Sequence, residues 1–309
     1  MNSKRMIVLD SLFEDLDVET SVAASRGWEL EAWNGSATHL AMADAVVHVR
    51  SHVDRTLIGR LSRCKVIGRF GVGLDSVDQA FAAESGMVVV NVRDYCLPEM
   101  TAHTLALAFS LERRLNGWRN ADWLDTDWQK FARVRPITGR SAVTVIGLGS
   151  IGSAVAAALR DLGYTVVAVT SRGNGNAQRL GLRTVPLADG LRSADLVLLH
   201  AALEPATVNL FDHSRLSLMR QGSILINTAR LGLIDQGAVA DGLAAERLGG
   251  FGLDARLELT SPLRQFAEDP RVVITPHVGW YSERSARVLR ERGVADSIDA
   301  YTNVTRRAS

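Results

Sequence analysis

Short apolar runs separated by helix-length stretches repeat along the whole chain. Met6–Leu9, Ala45–Val49, Val66–Phe70 and Val88–Val92 are brief and rich in β-branched side chains, and each predicts a strand. Helical stretches such as Val77–Ser85 lie between them. A second set follows: Ala142–Ile146, Thr165–Val169, Leu196–Leu199 and Ser223–Ile226, again spaced by helix-length segments. Such alternation predicts parallel sheets with right-handed crossovers. Two sets predict an α/β chain of two doubly wound parallel-sheet domains. Between them, Pro98–Leu115 places Leu105, Leu107, Ala108, Leu111 and Leu115 at positions that suit a long buried helix. Ser285–Tyr301 predicts a helix near the C-terminus.

The stretch from Gly117 carries Trp118, Trp123 and Trp128 among charges and Asn. It reads equally as a surface arm on its own domain or as a dimer contact, since aromatic residues are enriched at interface cores.

Composition narrows the class. The chain has 309 residues, 47% hydrophobic and 22% charged, enough for two packed cores. Its 35 Lys and Arg against 34 Asp and Glu leave a net charge of +1. No global field therefore points to nucleic acid or a membrane. Cys64 and Cys96 are far apart and outside any Cys-x-x-Cys spacing. They predict two buried thiols, not a disulfide framework or a metal site, and a cytoplasmic location. The run Met6–Leu9 is too short for a signal-peptide core, and no segment predicts a spanning helix.

The strongest local motif is Gly147-Leu-Gly149-Ser150-Ile151-Gly152. It follows the strand-like run 142–146, opens the Ala-rich stretch Ser153–Leu162, and precedes the run Thr165–Val169. That strand–loop–helix–strand context is what a dinucleotide fingerprint requires. The first glycine makes the turn, the second lets backbone approach the pyrophosphate, and the third lets helix and strand pack closely. An NAD site usually places Asp or Glu at the end of the next strand, to bind the ribose 2′-hydroxyl. Here that strand ends Val169-Thr170-Ser171-Arg172, with no acidic residue between Asp161 and Asp189. A guanidinium and hydroxyl donors suit a 2′-phosphate, so Thr170, Ser171 and Arg172 favour NADP(H) over NAD(H). The competing reading is a solvated Arg172 and an NAD site without its usual acid.

Three downstream segments carry candidate chemistry. Ile226-Asn-Thr-Ala-Arg230 places an Arg beyond a strand. Leu253-Asp254-Ala-Arg-Leu-Glu258 offers two carboxylates, and Ile274-Thr-Pro-His277-Val-Gly-Trp280 places a His after another strand-like run. In open α/β sheets ligands sit beyond the carboxyl ends of strands. Hydride transfer at the 2-carbon of a 2-oxo acid needs a cation to grip the carboxylate and polarise the ketone, and an imidazole to supply a proton. A carboxylate beside that imidazole favours its charged form.

Taken in order, these pieces resemble the D-isomer-specific 2-hydroxyacid dehydrogenases over nearly the whole chain. The matching segments are Gly68-Arg-Phe-Gly-Val-Gly-Leu-Asp75, Asn91-Val-Arg-Asp-Tyr-Cys, Gly147–Gly152, Leu199-His200, Asn227-Thr-Ala-Arg230, Leu253-Asp254 and Thr275-Pro-His277. The run from His277 to Glu283 resembles the branch that contains the C-terminal-binding proteins. The resemblance implies a Rossmann cofactor domain, 99–283, and a discontinuous flavodoxin-like substrate domain, 1–98 plus 284–309, with a crevice that closes on substrate. It implies Arg230 as substrate anchor, His277 as acid/base and Glu258 as its partner. Asp254 would contact the nicotinamide carboxamide, and His200 and Thr228 would join the cofactor residues. Backbone N–H groups of Val72 and Gly73 would hold the substrate carboxylate, with Arg69 and Trp280 lining the pocket. A homodimer through the cofactor domain is also implied.

The chain departs from the family pattern at Glu258, which stands four residues after Asp254 and before Leu259, where the family has a spacing of five and then Pro. Leu231 replaces the Gly that usually follows the Arg. His48, Arg50, His52, Arg69 and Arg93 further predict a positive first lobe, and with it a substrate bearing a second anionic group; surface pairing of these residues is the alternative. Two other functions fit the same fold: a dinucleotide-gated binding protein, and a dehydrogenase of an inorganic oxyanion such as phosphite.

Overall fold

The structure is a computed structural model and describes residues 3–118, 141–171 and 173–308. The backbone divides into two compact units, Met1–Tyr95 with Ser282–Ser309, and Cys96–Tyr281.

The first unit runs β1 (Lys4–Val8), α1 (Asp17–Ser25), β2 (Trp28–Ala32), α2 (Ala37–Ala41), β3 (Ala45–His48), α3 (Arg55–Ile58), β4 (Val66–Arg69), α4 (Gln79–Glu84) and β5 (Val88–Asn91). Among the described residues these strands form a parallel sheet ordered β2-β1-β3-β4-β5. This is the flavodoxin-like order, with its reversal between β1 and β3. Met6, Ile7, Val46, Val47, Val66 and Ile67 are buried. A strand covered on both faces reads as a continuous apolar run, which is why these strands were legible. β2 was not expected. Its sequence Trp-Glu-Leu-Glu-Ala buries only Trp28, and the sheet edge, not the composition, makes it a strand.

The C-terminal helix, Glu283–Ala308, packs on this sheet. Small residues form the seam. A Cβ on Gly68 would stand 2.9 Å from Val47 Cγ1 and collide with Ser297, and one on Gly293 would run into the Phe70 ring. The helix is also tied to α1. Arg290 Nε lies 2.9 Å from both carboxylate oxygens of Glu19, whose side chain is buried.

The second unit begins with α5 (Leu97–Glu112). It continues β6 (Ala142–Ile146), α6 (Ser150–Asp161), β7 (Thr165–Val169), α7 (Gly175–Arg179), β8 (Arg183–Thr184), α8 (Leu187–Ser193) and β9 (Leu196–Leu199). Then come α9 (His213–Leu218), β10 (Ser223–Asn227), α10 (Gln236–Ala244), β11 (Leu248–Asp254) and β12 (Val272–Thr275). The described strands form one parallel sheet, β12-β11-β10-β9-β6-β7-β8. This is the Rossmann order, extended by one strand and reversing between β6 and β9. β11 begins at Leu248, and its glycines hid it from the apolar pattern. A Cβ on Gly252 would stand 3.2 Å from Ile226 Cγ1 and 3.3 Å from Leu111 Cδ1. The glycine lets α5 lie close on the sheet.

Leu115–Trp118 forms a short 3-10 turn; Trp123 and Trp128 lie outside the described residues. Cys64 and Cys96 are buried, and burial pushes the Cys64 thiol up to about 12. Among the described residues no helix is long and apolar enough to cross a membrane, and no group of three or more His, Cys, Asp or Glu could hold a metal.

Candidate active site

In the second unit the strand ends bring the motifs to one edge. Ile146 pairs with Leu199, Leu199 with Asn227, Asn227 with Leu253, and Asp254 with Thr275. The residues after each therefore lie side by side along the carboxyl edge of the sheet.

The glycine loop sits at the reversal point. Gly147 has φ +90°, and a Cβ there would lie 2.6 Å from the main-chain carbon of His200. A Cβ on Gly152 would collide with the Gly147 carbonyl oxygen. Gly149 is different: it caps α6 in an extended conformation with no side-chain cap, and nothing stands within 4 Å of where its Cβ would be. The first-turn N–H groups of a 12-residue helix thus open on space, as a pyrophosphate requires. The loop is braced from behind. Ser153 Oγ donates to Leu148 O at 3.2 Å, and Asn176 Nδ2 donates to the same oxygen at 2.6 Å. His200 follows β9 beside this loop, with its Cβ 3.1 Å from a Cβ built on Gly152. Desolvation pushes its imidazole down to about 4, and its buried Nε2 has no partner among the described residues. The donor set, the open Gly149 and this orphaned nitrogen fit a bound dinucleotide.

At the end of β7, Thr170 Oγ1 lies 3.4 Å from Gly173 O and Ser171 is exposed. Arg172 lies outside the described residues.

The loop after β10 is organised by Asn227, which is 1% exposed. Its Oδ1 accepts from Ala229 N at 3.0 Å and its Nδ2 donates to Arg230 O at 2.8 Å. Thr228 is buried, with Oγ1 3.0 Å from Thr104 Oγ1 of α5. Arg230 is partly buried, and its Nη1 donates to Ala229 O at 3.0 Å.

His277 stands on a turn built around Asp254. The Asp254 carboxylate, 2% exposed, accepts from Thr275 Oγ1 (2.7 Å), Val278 N (2.8 Å) and Gly279 N (2.8 Å). His277 itself has φ +64°, unusual for a residue with a Cβ. Its Nδ1 lies 3.3 Å from the Asp254 carbonyl oxygen. A carbonyl only accepts, so Nδ1 carries the proton in that contact. Trp280 Nε1 donates to His277 O at 3.2 Å.

One expectation changes at this site. Glu258 is exposed, and its carboxylate makes no bond to His277 among the described residues. The shortened spacing after Asp254 leaves it on the loop that follows β11. His277 is oriented instead by Asp254, whose carboxylate is engaged with the turn. The sequence hid this because the bonds to Asp254 span 21 to 25 residues. His103, also overlooked, packs on the same turn from α5.

In the first unit, His48 pairs with Arg69, and Arg69 with Asn91, at the carboxyl ends of β3, β4 and β5. Gly71 has φ +141°, and the Arg69 guanidinium fills the space where its Cβ would be while Nη1 donates to Phe70 O. Asn91 Nδ2 donates to Val72 O, and Val72 is exposed with Gly73 partly buried. The predicted positive cluster is weaker than counted. His48 is fully buried, and desolvation with the Arg69 charge pushes it down to about 4, so it is neutral. At the reversal point Asp10 accepts from Val49 N (3.0 Å), Arg50 N (2.7 Å) and Ser51 N (3.3 Å). A carboxylate of the chain itself already occupies that ring of donors.

Residues 102–279 match the family model described as D-isomer specific 2-hydroxyacid dehydrogenase, NAD binding domain. The chain is 31% identical over 253 residues to glycerate dehydrogenase of Methylorubrum extorquens, covering 78% of this chain and 77% of that one. It is 32% identical over 261 residues to D-3-phosphoglycerate dehydrogenase of Mycobacterium tuberculosis, covering 83% of this chain and 48% of that longer one. In structure it resembles D-lactate dehydrogenase from Aquifex aeolicus, solved with NAD and lactic acid, at TM-score 0.84 and 22% identity, over 96% of this chain and 95% of that one. The chain belongs to the D-isomer specific 2-hydroxyacid dehydrogenase family of enzymes, and its second unit carries that family's NAD-binding domain.

Proposed function

We propose that this enzyme transfers hydride between NADP(H) and the 2-carbon of a small 2-hydroxy or 2-oxo acid. The observation that carries the reading is the turn held by Asp254, which presents His277 with Nδ1 committed to a carbonyl. When bound, the dinucleotide supplies the hydride donor or acceptor. The chain's own groups do the rest. His277 Nε2 gives a proton to the developing alkoxide in reduction and removes it in oxidation. Arg230 grips the substrate carboxylate and polarises the carbonyl.

The preference for NADP(H) is supported by Thr170 and Ser171 standing where an acid would repel a 2′-phosphate, with Arg172 next in sequence. A homodimer fits the family and the tryptophans after Gly117, and light scattering tests it.

The test is a panel assay following nicotinamide absorbance with glyoxylate, larger 2-oxo acids, dianionic 2-oxo acids and phosphite, each with both dinucleotides. Turnover of 2-oxo acids with NADPH at least ~10-fold preferred over NADH is expected, and Thr170→Asp should reverse the preference. Turnover of phosphite alone, or dinucleotide binding without any turnover, would overturn the proposal.

A further inference from the structure

We propose that His103 is a positioning residue for His277, acting through Thr275 and Asp254. The inference rests on the reading of His277 as the acid/base. His103 projects from α5, 172 residues before Thr275, and its Nε2 lies 3.0 Å from Thr275 Oγ1. The direction of this hydrogen bond follows from proton counting. Thr275 has one hydroxyl proton, and the Asp254 carboxylate 2.7 Å away can only accept. Thr275 therefore donates to Asp254 and accepts from His103, so His103 carries a proton on Nε2. The same nitrogen stands 3.7 Å from Asp254 Oδ1.

The bond has something to decide. Thr275 Oγ1 also lies 3.3 Å from Leu253 O, a second acceptor for the same proton. A donor from His103, seated on the hydroxyl oxygen, helps keep that O–H directed at the carboxylate. The carboxylate in turn holds Val278 N and Gly279 N, the two amides that follow His277. Those bonds over-determine a left-handed backbone at His277, a conformation that persists in a residue with a Cβ only where its surroundings hold it.

Packing makes the same connection. A Cβ on Gly279 would lie 2.8 Å from both Asp254 Oδ2 and His103 Cδ2. The glycine lets the His103 ring rest directly on the turn. Helix α5, the ends of β11 and β12, and the His277 turn are thereby joined in one chain of contacts.

Four variants, His103→Leu, His103→Gln, Thr275→Val and the Leu/Val double, are tested with His277→Asn in parallel. His103→Leu and Thr275→Val should each lower kcat ~10-fold or more, because a small misplacement of a reacting group is costly. The KM for the dinucleotide should stay within about twofold, since uniform binding is untouched. The acid/base pKa in the kcat/KM–pH profile should move by about half a unit or more. His103→Gln keeps a donor near the Nε2 position and should recover most of both losses. The double variant should be no worse than the weaker single, as for residues in one network.

A His103→Leu enzyme with an unchanged pH profile and kcat, whatever its melting temperature, would overturn the positioning role. So would an additive double variant. If His277→Asn keeps wild-type turnover, the acid/base reading itself fails. If it is inactive while His103→Leu and Thr275→Val are unchanged, only the positioning role fails.

Discussion

The side-chain amide of Asn227 donates to the main-chain oxygen of Arg230 at 2.8 Å while its carbonyl accepts from Ala229 N. One buried amide thus uses both its functions to fold the loop that carries the candidate substrate anchor. Asn227→Asp keeps the acceptor and loses the donor, placing a carboxylate oxygen against a carbonyl. We expect kcat/KM for the 2-oxo acid to fall by about 10- to 100-fold, with dinucleotide affinity little changed. Steady-state kinetics beside a dinucleotide titration check this.

Gly152 has no room for a side chain, because a Cβ would strike the Gly147 carbonyl oxygen. Gly152→Ala must push α6 off the loop and move its first-turn N–H groups. Dinucleotide affinity should drop by about 100-fold or more, an effect of roughly 3 kcal/mol. Gly149→Ala meets nothing within 4 Å, so it should fold normally and lose affinity only through the approach of the ligand. Fluorescence titration with NADPH separates the two.

Among the described residues, His48 in the first unit and His200 in the second are pushed down to about 4 by burial. A folded-state pKa below the unfolded value means the unfolded chain takes up the proton first. Stability from these groups is therefore complete above the unfolded pKa of 6.5 and is lost as pH falls from there toward 4. Between pH 7 and pH 5 each should cost about 2 kcal/mol, at 1.36 kcal/mol per unit. Denaturant unfolding at the two pH values checks this. His48→Asn should flatten the dependence of the first unit and leave that of the second.

Glu19 and Arg290 form a buried pair, with side chains 1% and 12% exposed. The guanidinium is also held by Asp15 and lies 4.7 Å from the Phe13 ring centroid. Glu19→Ala leaves a buried cation with a weaker partner and should cost about 3 kcal/mol. It should loosen the C-terminal helix from α1, seen as faster amide exchange in that helix at unchanged dinucleotide affinity.

Much of this architecture was written in short-range pattern. The runs at 142–146, 165–169 and 196–199 became strands with those bounds, because a doubly covered parallel strand must be apolar at nearly every position. The glycine loop was equally legible, since turn, close approach and helix start are set within six residues. β2 and β11 were not, because one is a charged edge and the other is thinned by glycines to admit α5. The same division holds at the site. Arg230 and His277 announced themselves by residue type after a strand. The pairing of His277 with Glu258 was implied by the family resemblance, and a resemblance in residue type does not carry the direction of a side chain on a loop whose length differs.

The sequence alone determined the two-sheet α/β class, the dinucleotide loop and the chemical groups available at the strand ends. Those follow from periodicity and residue type within a few neighbours. Only the tertiary structure decided that Asp254 holds the His277 turn, that His103 rests on it, and that Asp10 fills a ring of N–H donors in the first sheet. Each is a contact between segments 21 to 172 residues apart in sequence. Its geometry is fixed by how strands register and helices pack, not by local propensity.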